Sequence, residues 1–396
     1  MAFASDFDDI RPYGDEEVSG ALRALVNDDE FLMAIKSVRI SWLPNVLFPL
    51  IRPLLRHQLR KSTAKLDTVL DFQMRIESYI DHNIEKTSDG LDIQGQENLD
   101  PQKSYLFVSN HRDIVMDPAY CNIAVHRAGR KTCRIAIGDN LLSKPYVERL
   151  MRANKSFIVK RAMGGGRELL RELKKLSTYI RNSVTEDDET VWIAQKEGRA
   201  KDGIDSSDPA LIKMLALSKT KGQSFNDAIT QLNVLPLAVS YEWDPCDIAK
   251  AKELAAISDS GEYEKSEHED IQSIAAGIEG YKGHVTLAFG RPLVGEYLTP
   301  EEVAETIDEQ IIRMYRIHPS NIAAYAEIEG PVPYELLSQY QEEDIARASK
   351  MLKERSRDLN PKEVEFLYKA YANPVVSRLN LLGRSALAQD FEPQDT

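Results

Sequence analysis

A chain of 396 residues with 42% apolar side chains has ample material for a core, as one large α/β domain or two smaller ones. Its 50 Lys and Arg against 63 Asp and Glu leave a formal charge of -13. That balance excludes a nucleic-acid binder working by bulk charge and leaves any anionic ligand to a local basic site. Cys121, Cys133 and Cys246 lie in or beside apolar runs without metal-ligand spacing, and the acidic N-terminus carries no export signal, so a reduced, cytoplasmic setting is expected.

In chain order, residues 1–30 are acidic and are expected to be half ordered, with a short helix from Asp15-Glu16-Glu17. Between 31 and 66 there is no Asp or Glu. Lys36, Arg39, Arg52, Arg56, Arg60, Lys61 and Lys65 alternate there with Trp42, Val46, Leu50, Leu54 and other apolar residues. The uncharged part, 40–51, contains Pro44 and Pro49 and falls short of the ~20 residues a spanning helix needs. Two readings stand for residues 31–88: a basic, apolar helical region docking on a membrane surface, or a helical pair packed on the main domain with its arginines solvated.

A helix beginning at Val69 gives way to a turn and short strand at 89–93, where a domain spanning 89–330 is expected to begin. Apolar, β-rich runs follow at 105–108, 133–137, 157–159, 191–194, 234–239 and 285–289. Helical patterns at 118–127, 145–152, 167–180 and 209–217 lie between them. Strands alternating with helices predict an α/β fold: a mixed, largely parallel sheet flanked by helices on both faces, with its chemistry in loops at strand ends. The charged stretch 247–283 reads as a surface insertion without a site, 300–315 as an amphipathic helix, and 331–396 as a C-terminal helical tail frayed from 389.

The stretch 106–118, LFVSNHRDIVMDP, hands a buried strand to a loop bearing Asn110, His111, Asp113 and Asp117. A histidine with nearby carboxylates has the ingredients of a general base oriented by an acid. Asp117-Pro118 reads equally as a helix N-cap with proline at the first helical position, which needs no catalysis. Other strand ends carry Lys160-Arg161 and Lys196-Glu197-Gly198-Arg199. Arg161 and Arg199 there could fork onto a phosphate, or form ion pairs with Glu197 or Asp113. A serine hydrolase lacks its Gly-x-Ser-x-Gly, a metallo-hydrolase its His-Glu-x-x-His, and Gly164-Gly165-Gly166 lacks the Gly-Lys-Ser/Thr of a nucleotide loop.

Taken together and in order, these blocks resemble the glycerolipid acyltransferase superfamily, which includes glycerol-3-phosphate and lysophosphatidate acyltransferases. Asn110, His111 and Asp117 match its first motif, Phe157, Ile158 and Arg161 its second, Glu197 and Gly198 its third with Arg199 beside them, and Pro236 its fourth; the likeness covers roughly 90–315. Five residues separate His111 from Asp117, where most members have four, a spacing similar to some bacterial ornithine-lipid and haemolysin-like acyltransferases. Gln195 and Lys196 replace the aromatic and proline usual before the third motif's Glu.

The resemblance implies transfer of an acyl group from a thioester, acyl-CoA or acyl-carrier protein as co-substrate, to a phosphate-bearing lipid acceptor at the inner face of an anionic membrane, with no metal or other cofactor. In it His111 is the base and Asp117 its acid, Asp113 being the alternative. Asn110, Arg161, Glu197, Gly198 and Arg199 bind substrate. A membrane-associated scaffold without activity, or acylation of a non-glycerol lyso-lipid, are the rival readings.

Overall fold

The computed structural model describes residues 6–40, 42–161, 165–264 and 269–390, without the side chains of 38–39 and 384–390. Seven strands form one sheet: β1 (Gly90–Gln94), β2 (Leu106–Ser109), β3 (Arg134–Gly138), β4 (Ser156–Val159), β5 (Val191–Ala194), β6 (Val234–Tyr241) and β7 (His284–Phe289). Their order is β1-β7-β6-β2-β5-β3-β4. Every neighbouring pair is parallel except β6–β7. The mixed, largely parallel sheet expected from the sequence is therefore present.

β2 shows why such strands read as unbroken apolar runs: all four of its residues are buried because helices cover both faces. Leu106 and Val108 face a core shared with Ile180, Ile212, Ile229 and Ile307 from the helices Arg167–Thr185, Pro209–Leu215, Phe225–Thr230 and Pro300–Met314. Phe107 faces the other core with Tyr120 and Ile123 of Met116–Arg127 and Ile80 of Val69–Thr87. From residue 6 on, the acidic N-terminal segment is folded onto the domain, unlike the half-ordered stretch expected. Ile158 of β4 donates its N–H to the Ile10 carbonyl, and Asp9 pairs with Lys160 and Lys175. The last residues of the tail, 391–396, lie outside the described residues, as does Gly164 of the triglycine.

The charged insertion is not a surface appendage. Its helix Asp247–Ser260 buries Asp247, Lys250, Ala251, Glu253 and Ala255. Burying charges is costly unless each is paired, and these are: Asp247 with Arg355 and the Tyr371 hydroxyl, Lys250 with Asp244, Glu253 with Lys201. Charge density signalled exposure; matched charges allowed burial. The two partners of Asp247 come from the C-terminal helices Glu342–Arg355 and Pro361–Asp390, which with Pro319–Ile328 share a core containing Trp243 and Ala251. Gly203, at φ 79°, sits so close beneath that a Cβ would stand 2.0 Å from the Ala370 carbonyl oxygen.

The N-terminal helices Asp29–Arg39 and Phe48–Thr63 enclose a small core of Leu32, Phe48 and Leu55. Arg52 and Arg56 both pair with Asp29, and Arg60 donates to Asn27. The solvated side is instead apolar: Trp42, Val46, Leu50 and Leu54, four residues apart, are 58–80% exposed. No helix among the described residues is long and apolar enough to cross a membrane.

Candidate active site

His111 follows β2 directly, at the carboxyl ends of the central parallel strands. There the loop after β2 meets the loop after β5, through Gln195 N–H to the Ser109 carbonyl (2.7 Å) and Ala200 N–H to the His111 carbonyl (2.8 Å). Such a switch in strand connection leaves a crevice at strand ends, where side chains can be aimed without disturbing the sheet.

The loop 110–115 wraps around a carboxylate. Asp117 Oδ2 accepts from the N–H of Arg112 (2.6 Å) and of Asp113 (2.9 Å) and lies 2.8 Å from His111 Nδ1; Oδ1 accepts from the Tyr241 hydroxyl at 2.6 Å. Asp117 is therefore the acid that faces His111. It is not the helix N-cap expected from Asp117-Pro118, because the helix starts at Met116 and the position before it is Val115, which makes no side-chain cap. Asp113 does that work, its Oδ1 accepting from Val115 N–H (2.9 Å) and Met116 N–H (2.8 Å). Burial first, and then the charge of Asp117, pushes the Asp113 carboxyl above the usual carboxylate range.

The His111 ring is braced edge-on by Trp192 of β5, ring centroids 5.5 Å apart. With Nδ1 turned to Asp117, the Nε2 edge has no hydrogen-bond partner among the described residues, and the side chain is partly exposed. A neutral imidazole so held can take a proton at Nε2 and share the resulting charge with Asp117.

Asn110 does not reach this opening. It is fully buried, its amide donating to Asp205 (3.1 Å) and the Val239 carbonyl (3.0 Å) and accepting from Val239 N–H (2.7 Å). It clamps the end of β2 to β6, which corrects the expectation that it contacts substrate. Arg112 is likewise turned inward, onto Asp205 at 2.7 Å and over the Tyr315 ring at 5.4 Å. Burial opposes its charge, but Asp205 together with Tyr315, Asp244 and Asp117 outweighs burial and the guanidinium stays ionised. Lys250 of the buried insertion donates to the Arg112 carbonyl at 2.7 Å, pinning the same loop from above.

Gly198 adopts φ 77°, a left-handed conformation that splits its neighbours. Glu197 turns to Arg161, Oε1 to Nη1 3.1 Å, the ion pair that stood as the alternative to a phosphate for that arginine. Arg161 reaches back from the edge strand β4 to make this contact, its own N–H bonded to Asp139 at 3.1 Å. Arg199 turns the other way. Burial works against the Asp244 carboxylate, but Lys250, the Cys246 N–H and then Arg199 more than offset it and hold it below the usual range. Even so, Arg199 Nη1 is buried with no hydrogen-bond partner among the described residues, an orphaned donor on a charged group. Pro236 lies within β6, level with Val108, and is buried.

His126, a conceivable metal ligand, lies ten residues from Met116, about 15 Å along the same helix, and is not brought to His111. Among the described residues one set of metal-type donors falls together, Asp89, Glu242 and His284, within 4.8 Å of one another at the ends of β1, β6 and β7. Sequence reasoning missed Tyr241, Arg112, Asp205 and Lys250. The only available signal was that Tyr241 closes a long apolar strand with a hydroxyl-bearing ring.

Residues 90–238 match the family model described as Acyltransferase. Among solved structures the chain is similar to the crystal structure of PlsC, the 1-acyl-sn-glycerophosphate (LPA) acyltransferase of Thermotoga maritima: 18% identity, over 73% of this chain and 92% of that one, with a TM-score of 0.34. No curated protein matches the sequence.

Proposed function

We propose, from the match of residues 90–238 to the acyltransferase family model, that the chain moves a fatty acyl group from a thioester, of CoA or of acyl-carrier protein, to a hydroxyl of a glycerophosphate or lysophospholipid. The observation that carries this reading is the His111–Asp117 pair at the end of β2, with the Nε2 edge turned away from Asp117. An alcohol hardly ionises at neutral pH, so the acceptor needs a base in reach, and a positioned histidine contributes about 10²–10⁴-fold. His111 Nε2 takes the hydroxyl proton as that oxygen bonds to the thioester carbonyl carbon. The tetrahedral adduct collapses, the C–S bond breaks, and the departing thiolate takes the proton back from the imidazolium. No acyl-enzyme forms.

Arg199, with its unpartnered Nη1, and Arg161, held by an exposed Glu197 that an acceptor phosphate could displace, bind that phosphate. Gly198 gives the turn that sets the two apart. The N-terminal region 31–88 docks on an anionic membrane surface from one side. The exposed stripe Trp42, Val46, Leu50 and Leu54 supports this more than Arg52 and Arg56 do, since Asp29 already pairs with both.

The experiment is thiol release from acyl-CoA and from acyl-carrier protein over a panel of glycerol-3-phosphate, lysophosphatidate and non-glycerol lyso-lipids. Turnover with a phosphate-bearing acceptor that disappears in His111→Ala supports the proposal. A folded His111→Ala protein with undiminished turnover ends it.

A further inference from the structure

We infer that Tyr241 is a positioning residue for the His111–Asp117 pair, fixing the free oxygen of the carboxylate so that the other stays aimed at the histidine. This rests on the reading of His111 as general base.

Tyr241 ends β6, the strand hydrogen-bonded beside β2. Its hydroxyl donates to Asp117 Oδ1 at 2.6 Å, and both residues are buried. All three bonds to the loop and to His111 fall on Oδ2. With Oδ1 unheld, the carboxylate could rotate about its own axis and exchange its oxygens; the phenol removes that freedom. Burial, then the Asp117 charge, raises the phenol well above its ordinary value, so it remains a donor at every working pH. Tyr120 tilts against the Tyr241 ring at 6.1 Å between centroids, yet its own hydroxyl has no hydrogen-bond partner. The ionisable groups acting on this carboxylate and phenol are His111 and Asp113 of the loop, Tyr120 of the following helix and the inward-turned Arg112.

A hydrogen bond to a charged group is worth roughly tenfold or more in an equilibrium or a rate. Losing it leaves a more basic carboxylate that holds the imidazolium more tightly and a less fixed ring. Tyr241→Phe should therefore lower plateau kcat about tenfold, leave both KM values within about twofold, and move the acid limb of kcat/KM up by roughly half to one pH unit. Placing 3-fluorotyrosine at 241, a stronger donor of nearly the same volume, should move that limb the opposite way. Tyr120→Phe, which keeps the ring contact, should leave the profile where it is.

A purely structural Tyr241 predicts a lower melting temperature with the acid limb unmoved in both Tyr241 variants, and that result overturns the inference. So does a rise in KM at constant kcat. His111→Ala is run alongside: if it retains turnover, the reading of the base has failed, whereas its loss together with an unmoved Tyr241 profile removes only the positioning role.

Discussion

Replacing Asp117 by Asn exchanges one oxygen for an amino group at the centre of the candidate site. The amide can keep its oxygen where Oδ2 stands, still accepting from Arg112 and Asp113, and turn its NH2 toward the Tyr241 oxygen, which can accept. The backbone arrangement is then preserved, but the three hydrogen bonds on that oxygen, from Arg112, Asp113 and His111, lose their charge and the one with Tyr241 reverses direction. That costs about 1–3 kcal/mol of stability. Were Asp117 a simple N-cap, Asn would replace it with little loss; its place inside the wrapped loop makes a measurable fall in melting temperature the expectation. The rate suffers more. An imidazolium 2.8 Å from a buried carboxylate loses its counter-charge, and kcat should fall about 10²–10⁴-fold. Asp113→Asn retains the oxygen that caps Val115 and Met116 and should cost less than about tenfold. Initial rates of thiol release with melting curves on both variants are the assay. Asp117→Asn within tenfold of wild type, or Asp113→Asn the worse of the two, would refute the assignment of the acid.

Three more predictions follow from other parts of the molecule. Arg161→Lys and Arg199→Lys should each raise acceptor KM more than donor KM, since a point charge cannot replace a planar fork; steady-state kinetics showing equal effects would remove both from the phosphate. Val46→Glu with Leu50→Glu should weaken co-sedimentation with anionic vesicles more than tenfold, because each buried aliphatic side chain is worth about 1.5–3 kcal/mol. Arg52→Glu should weaken it less, Arg52 already being paired; equal losses would restore an electrostatic docking mode. Burial first, and then the nearby Arg316, lowers His318 from 6.5 to about 3. An unfolded His318 therefore binds a proton that the folded one refuses, and stability should be lost as pH falls from about 6.5 towards 3. Denaturant midpoints across that range should flatten in His318→Gln, and a slope unchanged by the substitution would contradict the burial argument.

Six of the seven strands could be placed from the sequence because a buried strand needs a short continuous apolar run and little else, and the edge strand β1, with no buried residue, showed instead as a turn and short strand at 89–93. Val191–Ala194 coincides with its predicted run, and the others differ by one or two residues at their ends. Three things were not legible. Helix starts depend on which side chain reaches which amide, and Asp113 took the cap that Asp117-Pro118 advertised. The burial of 247–260 depends on partners about a hundred residues away, Arg355 and Tyr371 for Asp247, which no local window contains. And Asn110 carries the same residue type whether it meets a ligand or ties two strands together; only its saturated hydrogen bonds decide. The arginines of the N-terminal region were visible as a group, but their acid, Asp29, stands just outside the acid-free span.

The buried insertion and its C-terminal partners also set an order of events during synthesis. His111, Asp117 and β2 leave the ribosome early, but Tyr241, at the end of the neighbouring strand β6, and Lys250 emerge more than a hundred residues later, and Arg355 and Tyr371 later still. Until then Asp247 has no cation to meet and cannot be buried. A nascent chain can thus close much of its sheet while the loop bearing the base remains unpinned. The contacts that finish the loop are among the most distant in the sequence, the kind that form slowly. Competence for chemistry is therefore acquired only after the helices that carry Arg355 and Tyr371 have been made.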